Sequence, residues 1–186
     1  MNQLDFFRES IKNIKTVGTI TRSSKFVCKG MVKHVDFDKA DVIIELGAGD
    51  GVITEYILSQ MTRDTQRLLS FEVNNKFCNH IRKKYKDKRL EVIEDTAENL
   101  GVHLQKRNLG KVKYIVSAIP FVSLPKELGY KIVEECKAHM EDGGLFIQIH
   151  YTLMIKKLYQ DVFGNVDINF VPINIPPAFV LVSEKR

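Results

Sequence analysis

The stretch ELGAGDG, residues 45–51, lies between an apolar run and a helical pattern and decides the fold. The run before it, Asp41–Leu46 (DVIIEL), predicts a buried strand. The segment after it, Val52–Met61, has apolar side chains at helical spacing. Glycines at such a turn allow the backbone to approach a ligand closely, and the helix that follows directs its N-terminal amides at that ligand. We therefore expect a ligand-binding turn between a strand and a helix.

The rest of the chain alternates short apolar runs with helical patterns. The further predicted strands are Arg67–Phe71, Leu90–Ile93, Lys113–Ala118, Leu145–Tyr151, Val166–Val171 and Phe179–Ser183. The further predicted helices are Lys76–Lys84, Ala97–Lys106, one that Pro125 opens, and Ile155–Val162, with a turn at 142–144. This alternation predicts an α/β fold with a mostly parallel, seven-stranded, Rossmann-like sheet. The last two strands have no helix between them, which predicts an antiparallel hairpin at the sheet edge.

The net charge of +5 is concentrated near the N-terminus. Residues 1–34 contain seven basic and two acidic side chains, so residues 35–186 are neutral. This asymmetry divides the chain into a basic helical arm, 1–34, and a catalytic domain, 35–186. Such an arm suits nucleic acid, an anionic membrane or an acidic partner.

Two amphipathic helices are predicted in the arm. In residues 4–15 one face is apolar and carries Leu4, Phe7, Ile11 and Ile14. Ser23 or Ser24 caps a second helix, in which Lys25, Lys29 and Lys33 form a row. An apolar stripe with basic flanks can lie in a bilayer interface, but it can also pack on its own domain. We expect the arm to bind an anionic membrane surface.

The composition argues against a membrane-spanning protein and against a disulfide-rich protein. No apolar run reaches the length of about 20 residues that a membrane-spanning helix needs. Cys28, Cys78 and Cys136 are odd in number and form no CxxC pair, so neither a disulfide framework nor a metal site is expected. They are expected to behave as buried apolar side chains. A cytoplasmic protein, peripherally associated with the inner membrane face, fits these features.

Two ligands compete for the glycine turn. A dinucleotide needs a pyrophosphate at the helix N-terminus, where the acids Glu45 and Asp50 are unfavourable. S-adenosylmethionine (SAM) has no phosphate, and its ammonium and sulfonium groups favour nearby acids. SAM is therefore the better fit for a turn built from Glu45, Gly47, Ala48, Gly49 and Gly51.

Acids also follow the next two strands. Glu72 ends the second strand, where a carboxylate can accept the ribose hydroxyls of a nucleoside. Asp95, followed by Thr96, ends the third strand and can accept a hydrogen bond from an adenine amino group, although Glu94 leaves the register open. Three acids at the carboxyl ends of successive strands indicate one ligand-binding crevice.

These motifs, with the Gly143-Gly144 turn, resemble class I SAM-dependent methyltransferases. More specifically, the chain resembles the bacterial phospholipid N-methyltransferases, which methylate phosphatidylethanolamine. The matching pieces are Phe7-Arg8, Val17-Gly18, Ser23-Ser24, 45–51, 117–125 (SAIPFVSLP), 148–151 and 174–180 (NIPPAFV). Ala48 and Asp50 stand where that family usually has proline and threonine. The resemblance implies SAM as cofactor and an aminophospholipid as substrate.

A weaker resemblance extends to the rRNA adenine dimethyltransferases, which carry Asn-Leu-Pro-Tyr/Phe after the fourth strand. Here that segment reads Ser117-Ala118-Ile119-Pro120-Phe121. Ala118 lacks the side-chain acceptor that the asparagine would offer an adenine amino group. Ser117 is a candidate cofactor-binding residue, and Phe121 belongs either to the substrate wall or to the core.

To accept a methyl group, a primary aliphatic amine must be positioned for attack. Its ammonium form, whose pKa is ~10, must first lose a proton. Tyr151 is the candidate residue to accept that proton, whereas His150 is expected to face a helix. The leading hypothesis is SAM-dependent N-methylation of phosphatidylethanolamine or a related aminophospholipid. An RNA adenine methyltransferase and a catalytically silent SAM-binding adaptor are the alternatives, and the sequence leaves the oligomeric state open.

Overall fold

In the computed structural model, which describes residues 24–186, seven strands form one sheet. In chain order the strands are β1 (Val42–Leu46), β2 (Arg67–Phe71), β3 (Leu90–Ile93), β4 (Val112–Ser117), β5 (Met140–His150), β6 (Asp167–Val171) and β7 (Ala178–Glu184). Their order across the sheet is β3-β2-β1-β4-β5-β7-β6. Pairs among β1–β5 are parallel, whereas β7 runs antiparallel to both β5 and β6. The predicted α/β fold and its antiparallel edge are confirmed.

Helices cover both faces of the sheet. They are α1 (Lys25–Val32), α2 (Val52–Gln60), α3 (Asn75–Lys84), α4 (Leu100–Lys106), α5 (Lys126–Ala138) and α6 (Lys156–Phe163). The predicted helix 97–106 begins with a 3₁₀ turn, Ala97–Asn99, before α4. Helices α1 and α2 share one core with the sheet, and α4, α5 and α6 share a second core on the opposite face. These two apolar layers hold the sheet rigidly between them.

The carboxyl ends of the parallel strands are level with one another. Leu46, the last residue of β1, is paired with Phe71 of β2 and with Ser117 of β4. Phe71 is in turn paired with Ile93, the last residue of β3. The loops that follow β1 to β4 therefore leave the sheet along one line, and this carboxyl edge is where open α/β sheets bind ligands.

The second helix of the predicted arm packs on the sheet. In α1, Ser24 caps the N-terminus by accepting a hydrogen bond from the Val27 amide. Val27 and Met31 are fully buried in the core that α1 shares with α2, while Lys29 faces outward. This helix therefore packs on its own domain. The first predicted helix, residues 4–15, lies outside the described residues.

The glycine pair 143–144 does not form the predicted turn. Strand β5 begins at Met140 and runs through both glycines. Gly143 adopts φ +73°, and its amide donates to the Lys185 carbonyl, while the Lys185 amide donates to the Gly144 carbonyl. The glycines therefore form an irregularity in a strand that remains paired, because a long-range partner satisfies their backbone groups.

Cys28, Cys78 and Cys136 are all buried, as predicted for small apolar side chains. Within residues 24–186, none of the helices combines the length and the apolar character that crossing a bilayer requires.

Candidate active site

Three glycines with a left-handed backbone conformation form the turn after β1. Gly47, Gly49 and Gly51 have φ of +73°, +57° and +81°, a region that side chains other than glycine rarely adopt. A Cβ on Gly47 would lie 3.2 Å from the Ile119 amide nitrogen, so the turn packs tightly against the loop after β4. A Cβ on Gly49 would meet no atom within 4 Å. The turn thus has one face fixed against protein and one face open to a ligand.

Glu45 lies inside the sheet directly below this turn. Its Oε2 accepts hydrogen bonds from the hydroxyls of Thr54 and Ser70, each at 2.7 Å. Its Oε1 is buried and has no hydrogen-bond partner within residues 24–186. Burial raises the pKa of Glu45 to about 7, although the two hydroxyl hydrogen bonds act in the opposite direction. A buried carboxyl group with an unused oxygen is suited to a cationic group nearby.

Glu72, directly after β2, joins the second strand to the turn. Its Oε2 accepts the Gly49 amide at 2.8 Å, and its Oε1 accepts the Asn74 amide at 2.8 Å. These two amides orient the carboxylate against the glycine turn. Glu72 therefore lies at the turn, as the sequence predicted.

Asp95, two residues after β3, is held firmly by neighbouring side chains. Its Oδ1 accepts hydrogen bonds from the Thr96 amide and the Asn99 side chain, and its Oδ2 lies 2.7 Å from His103 Nε2. Burial alone would raise the pKa of Asp95, but the hydrogen bonds from His103, Thr96 and Asn99 outweigh it and lower the pKa. Glu94 instead bonds the Asn75 side chain. Asp95 thus faces Asn99 and His103, whereas Glu94 faces α3.

Thr96 caps the 3₁₀ turn that follows. It is buried, and its hydroxyl accepts the Glu98 amide. The side chain therefore shapes the loop at the end of β3.

The loop after β4 is fixed by a buried amide on the neighbouring strand. Ser117 is buried, and its hydroxyl accepts the Ile119 amide at 3.4 Å. Gln148, the strand partner of Ser117, donates from Nε2 to the Ile119 carbonyl at 3.0 Å. Its Oε1 is buried and has no hydrogen-bond partner within the described range. The amide of Ala118 donates to the Leu46 carbonyl, so Ala118 lies beside the glycine turn.

Tyr151 directly follows β5 and is 37% exposed at the carboxyl edge. His150, one residue earlier, faces helix α6 as predicted, with its Nε2 2.7 Å from the Tyr159 hydroxyl. Burial lowers the pKa of His150 to about 4, so it is neutral at neutral pH. Phe121 is buried edge-on against Tyr159. Of the two roles considered for Phe121, the structure therefore shows core packing.

The predicted residues thus converge at one edge of the sheet. The glycine turn, Glu72 and the Ser117 loop are in direct contact, Asp95 lies at the end of the next strand, and Tyr151 lies two strands from β1, about 10 Å across the sheet. The supporting residues that sequence reasoning missed are Thr54, Ser70, Asn99, His103 and Gln148. The sequence signal for Gln148 was an amide inside the apolar run LFIQIHY.

Comparisons with known proteins match this chain to methyltransferases. A family model described as "Ribosomal RNA adenine dimethylase" matches residues 18–158. An ornithine lipid N-methyltransferase from Singulisphaera acidiphila is 28% identical, over 93% of this chain and 91% of the relative. A ribosomal RNA small subunit methyltransferase A from Hydrogenobaculum sp. is 23% identical, over 95% of this chain and 71% of the relative.

A solved structure shares the fold. The O-methyltransferase from Bacillus cereus in complex with SAH superposes with a TM-score of 0.70, at 14% identity. The match covers 100% of this chain and 92% of that chain. This chain thus shares the Rossmann-like fold of that protein.

Proposed function

Since this chain belongs to the ribosomal RNA adenine dimethylase family, and is therefore a methyltransferase that uses SAM, we propose that it N-methylates the primary amine of a membrane lipid. The lipid is phosphatidylethanolamine, a related aminophospholipid or an ornithine lipid, which share an aliphatic amine in the head group. The observation that carries the proposal is Ala118, which offers no side-chain acceptor at the position that would face an adenine amino group.

The residues at the carboxyl edge fit SAM. The open side of Gly49 gives room for a ligand against the backbone, and the unused oxygen of Glu45 suits an ammonium group. Glu72, oriented by the Gly49 amide, accepts the ribose hydroxyls. Asp95 and Thr96 shape the adenine side of the crevice, and Ser117 closes it against β4. When bound, SAM supplies an electrophilic methyl group.

The remaining chemistry is positioning and proton removal. An aliphatic ammonium must lose a proton before its nitrogen can attack the methyl group, and its pKa is ~10. Tyr151 lies at the carboxyl edge beyond β4, so we assign it the removal or relay of that proton. His150 takes no part in this step, because it is buried, neutral and bonded to Tyr159.

The substrate class is supported by comparing how much of each of the two sequence relatives is matched. The ornithine lipid N-methyltransferase is matched over 91% of its length, whereas the rRNA methyltransferase is matched over 71%. A lipid amine also needs no acceptor at residue 118, because its lone pair is not delocalised into a ring. Both points favour lipid over RNA.

RNA adenine N6-methylation is the second candidate function. The family model and the Hydrogenobaculum relative favour it, as does the basic charge of residues 1–34. Against it stands Ala118, since the Ser117–Phe121 segment then lacks the amide acceptor for the adenine amino group.

The test is to incubate the purified full chain with methyl-labelled SAM and, separately, with vesicles of phosphatidylethanolamine, vesicles containing ornithine lipid, and small-subunit rRNA. We expect label in lipid head groups. Label in rRNA adenines without lipid labelling would support the second candidate instead. Tight SAM binding without transfer to any amine would indicate a catalytically silent adaptor.

A further inference from the structure

Large apolar side chains are exposed mainly at one edge of the molecule. Ten are exposed among residues 24–186, and eight of them lie on or next to the loops of the carboxyl edge. They are Phe26, Val122, Tyr151, Leu153, Met154, Phe170, Ile173 and Ile175. Single exposed apolar residues are ordinary, but a grouped set indicates an interaction surface.

Four of these residues form what we call the apolar rim: Leu153, Met154, Ile173 and Ile175. Met154 is 84% exposed and Ile175 is 88% exposed. The first two follow β5 and the last two lie between β6 and β7, whose ends meet where His150 pairs with Phe179. These strands are about 5 Å apart, so the two loops leave the sheet side by side.

The β6–β7 loop is held so that its isoleucines point outward. Asn174, between them, is buried, and its side-chain amide donates to the Pro176 carbonyl. Asn174 thus occupies the inner side of the loop, and Ile173 and Ile175 are on its exposed side.

The chain segments beside the apolar rim carry lysines and no acids, and Asp161, just beyond one of these segments, pairs with Lys157. The segments 24–35, 143–160 and 168–183 contain no aspartate or glutamate, and exposed or half-buried lysines lie at Lys25, Lys29, Lys33, Lys156 and Lys157. The acids of the carboxyl edge lie on the other half, at the ends of β1, β2 and β3. The half of the edge at β1, β2 and β3 is thus acidic. The half beside the apolar rim is basic and complements an anionic surface.

Helix α1, where the described part of the chain begins, starts at the same edge. A Cβ on Gly30 in α1 would lie 3.3 Å from Val171, at the end of β6. Three residues later, Lys33 Nζ lies 3.4 Å from Asn169 Oδ1, farther from the carboxyl edge. Helix α1 therefore starts at the carboxyl edge and runs away from it.

We propose that the apolar rim inserts into the interface of an anionic lipid bilayer and so turns the carboxyl edge toward the membrane. This inference rests on the proposed function in that it places the crevice against the phase that holds the substrate. Isoleucine, leucine and methionine flanked by lysines suit a bilayer, where apolar groups enter and ammonium groups stay at the head groups. Protein interfaces, by contrast, are depleted in lysine.

Fluorescence provides the test, because the chain contains no tryptophan. In the full-length protein, Met154→Trp places a reporter on the apolar rim, and Val102→Trp places one at an exposed site on α4, on another face. With vesicles of phosphatidylethanolamine and phosphatidylglycerol, we expect the emission of the 154 reporter to shift to shorter wavelength and that of the 102 reporter to stay unchanged.

A second variant measures the contribution of the rim to binding. Met154→Ser combined with Ile175→Ser should weaken vesicle binding at least about tenfold, whereas Val102→Ser should leave it unchanged, with thermal unfolding confirming that each variant is folded. Equal binding by the double variant would overturn the proposal. A 154 reporter already at short wavelength without vesicles, and unaffected by them, would also overturn it, since residues 1–23 or a second copy would then cover the rim. These readouts need no methyl transfer, so a failure of the proposed function is distinguishable from a failure of the rim.

Discussion

At the scale of single residues, the candidate site contains a carboxyl group whose pKa lies close to neutral pH. Glu45 is buried below the glycine turn, and its pKa is raised to about 7. Two hydroxyls bind one oxygen, and the other oxygen lacks a partner within residues 24–186. A cationic ligand would favour the charged form, so ligand binding and proton release are linked at this residue.

We therefore predict that SAM affinity depends on pH. Below pH 7 Glu45 holds a proton in the free protein, and binding of a cation must displace it. Affinity should rise as the pH approaches 7 and level off above it, by at most about tenfold per pH unit. Calorimetry in two buffers of different ionisation enthalpy measures the released proton. Glu45→Gln should bind more weakly and without this pH dependence, and an unchanged pH dependence in that variant would contradict the role of Glu45.

The glycines of the turn offer a matched pair of substitutions. Both Gly49→Ala and Gly51→Ala incur about 1–2 kcal/mol for a left-handed backbone. In Gly51→Ala the new methyl group would also lie 2.8 Å from the Tyr85 ring, so this variant should lose more unfolding free energy in chemical denaturation. In Gly49→Ala the methyl group enters the open crevice, so SAM affinity should fall at least about tenfold. Equal SAM affinity in Gly49→Ala and the native protein would place the ligand elsewhere.

Tyr151 is the third residue whose role can be tested. Tyr151→Phe keeps the ring and removes the hydroxyl, so we expect kcat for lipid methylation to fall about 100-fold. The Kd for SAM should stay unchanged. His150→Gln is the control, because His150 faces Tyr159 and not the crevice, and kcat should respond far less to it. A native kcat in Tyr151→Phe would remove the hydroxyl from the mechanism.

At the scale of elements, the helix α1 is part of the folded domain, although its sequence equally suits a membrane surface. Met31 is fully buried in α1, whereas Phe26 on the same helix is exposed. Met31→Ala should lower the free energy of unfolding by about 2–5 kcal/mol, and Phe26→Ala by less than about 1 kcal/mol. Denaturant unfolding measures both. Equal small effects would mean that α1 contributes little to the stability of the domain.

The elements that sequence patterns predicted best are the buried strands. Arg67–Phe71 and Leu90–Ile93 match their predicted bounds, because each is a short, mainly apolar segment between two helical patterns in an alternating chain. The predicted turn at Gly143 was wrong because its backbone partner is distant in sequence. Its local signal is that of a turn, but the Lys185 backbone, 42 residues away in sequence, keeps it in a strand. Long-range pairing of this kind leaves no local pattern.

The candidate site was predictable to a similar extent. Strand ends and glycine spacing located Glu45 and Glu72, since both follow from parallel topology. The partners that orient the acids, such as His103 beside Asp95, come from a helix eight residues later. Their roles depend on side-chain directions that spacing alone does not specify. Polar residues in otherwise buried positions, Ser70 and Gln148, were the available signals.

At the scale of the whole molecule, charge and apolar surface divide the carboxyl edge into two halves. The half over β1, β2 and β3 carries the acids that suit SAM, and the half over β5 and β6 carries the apolar rim and lysines. The net charge of +5 lies within residues 1–34, and α1, the described helix in that range, has its N-terminal end at this edge. The molecule is thus arranged so that one edge can meet both the cofactor and a lipid surface.

The central claim, methyl transfer to a lipid amine, is tested most directly by competition in one tube. The full chain is given methyl-labelled SAM together with small-subunit rRNA and vesicles that contain phosphatidylethanolamine and ornithine lipid. Organic extraction then separates the lipids from the RNA. We predict that the label enters the lipid phase, on the head-group nitrogen, and is absent from the RNA. Label in rRNA adenines with none in the lipid phase would contradict the claim.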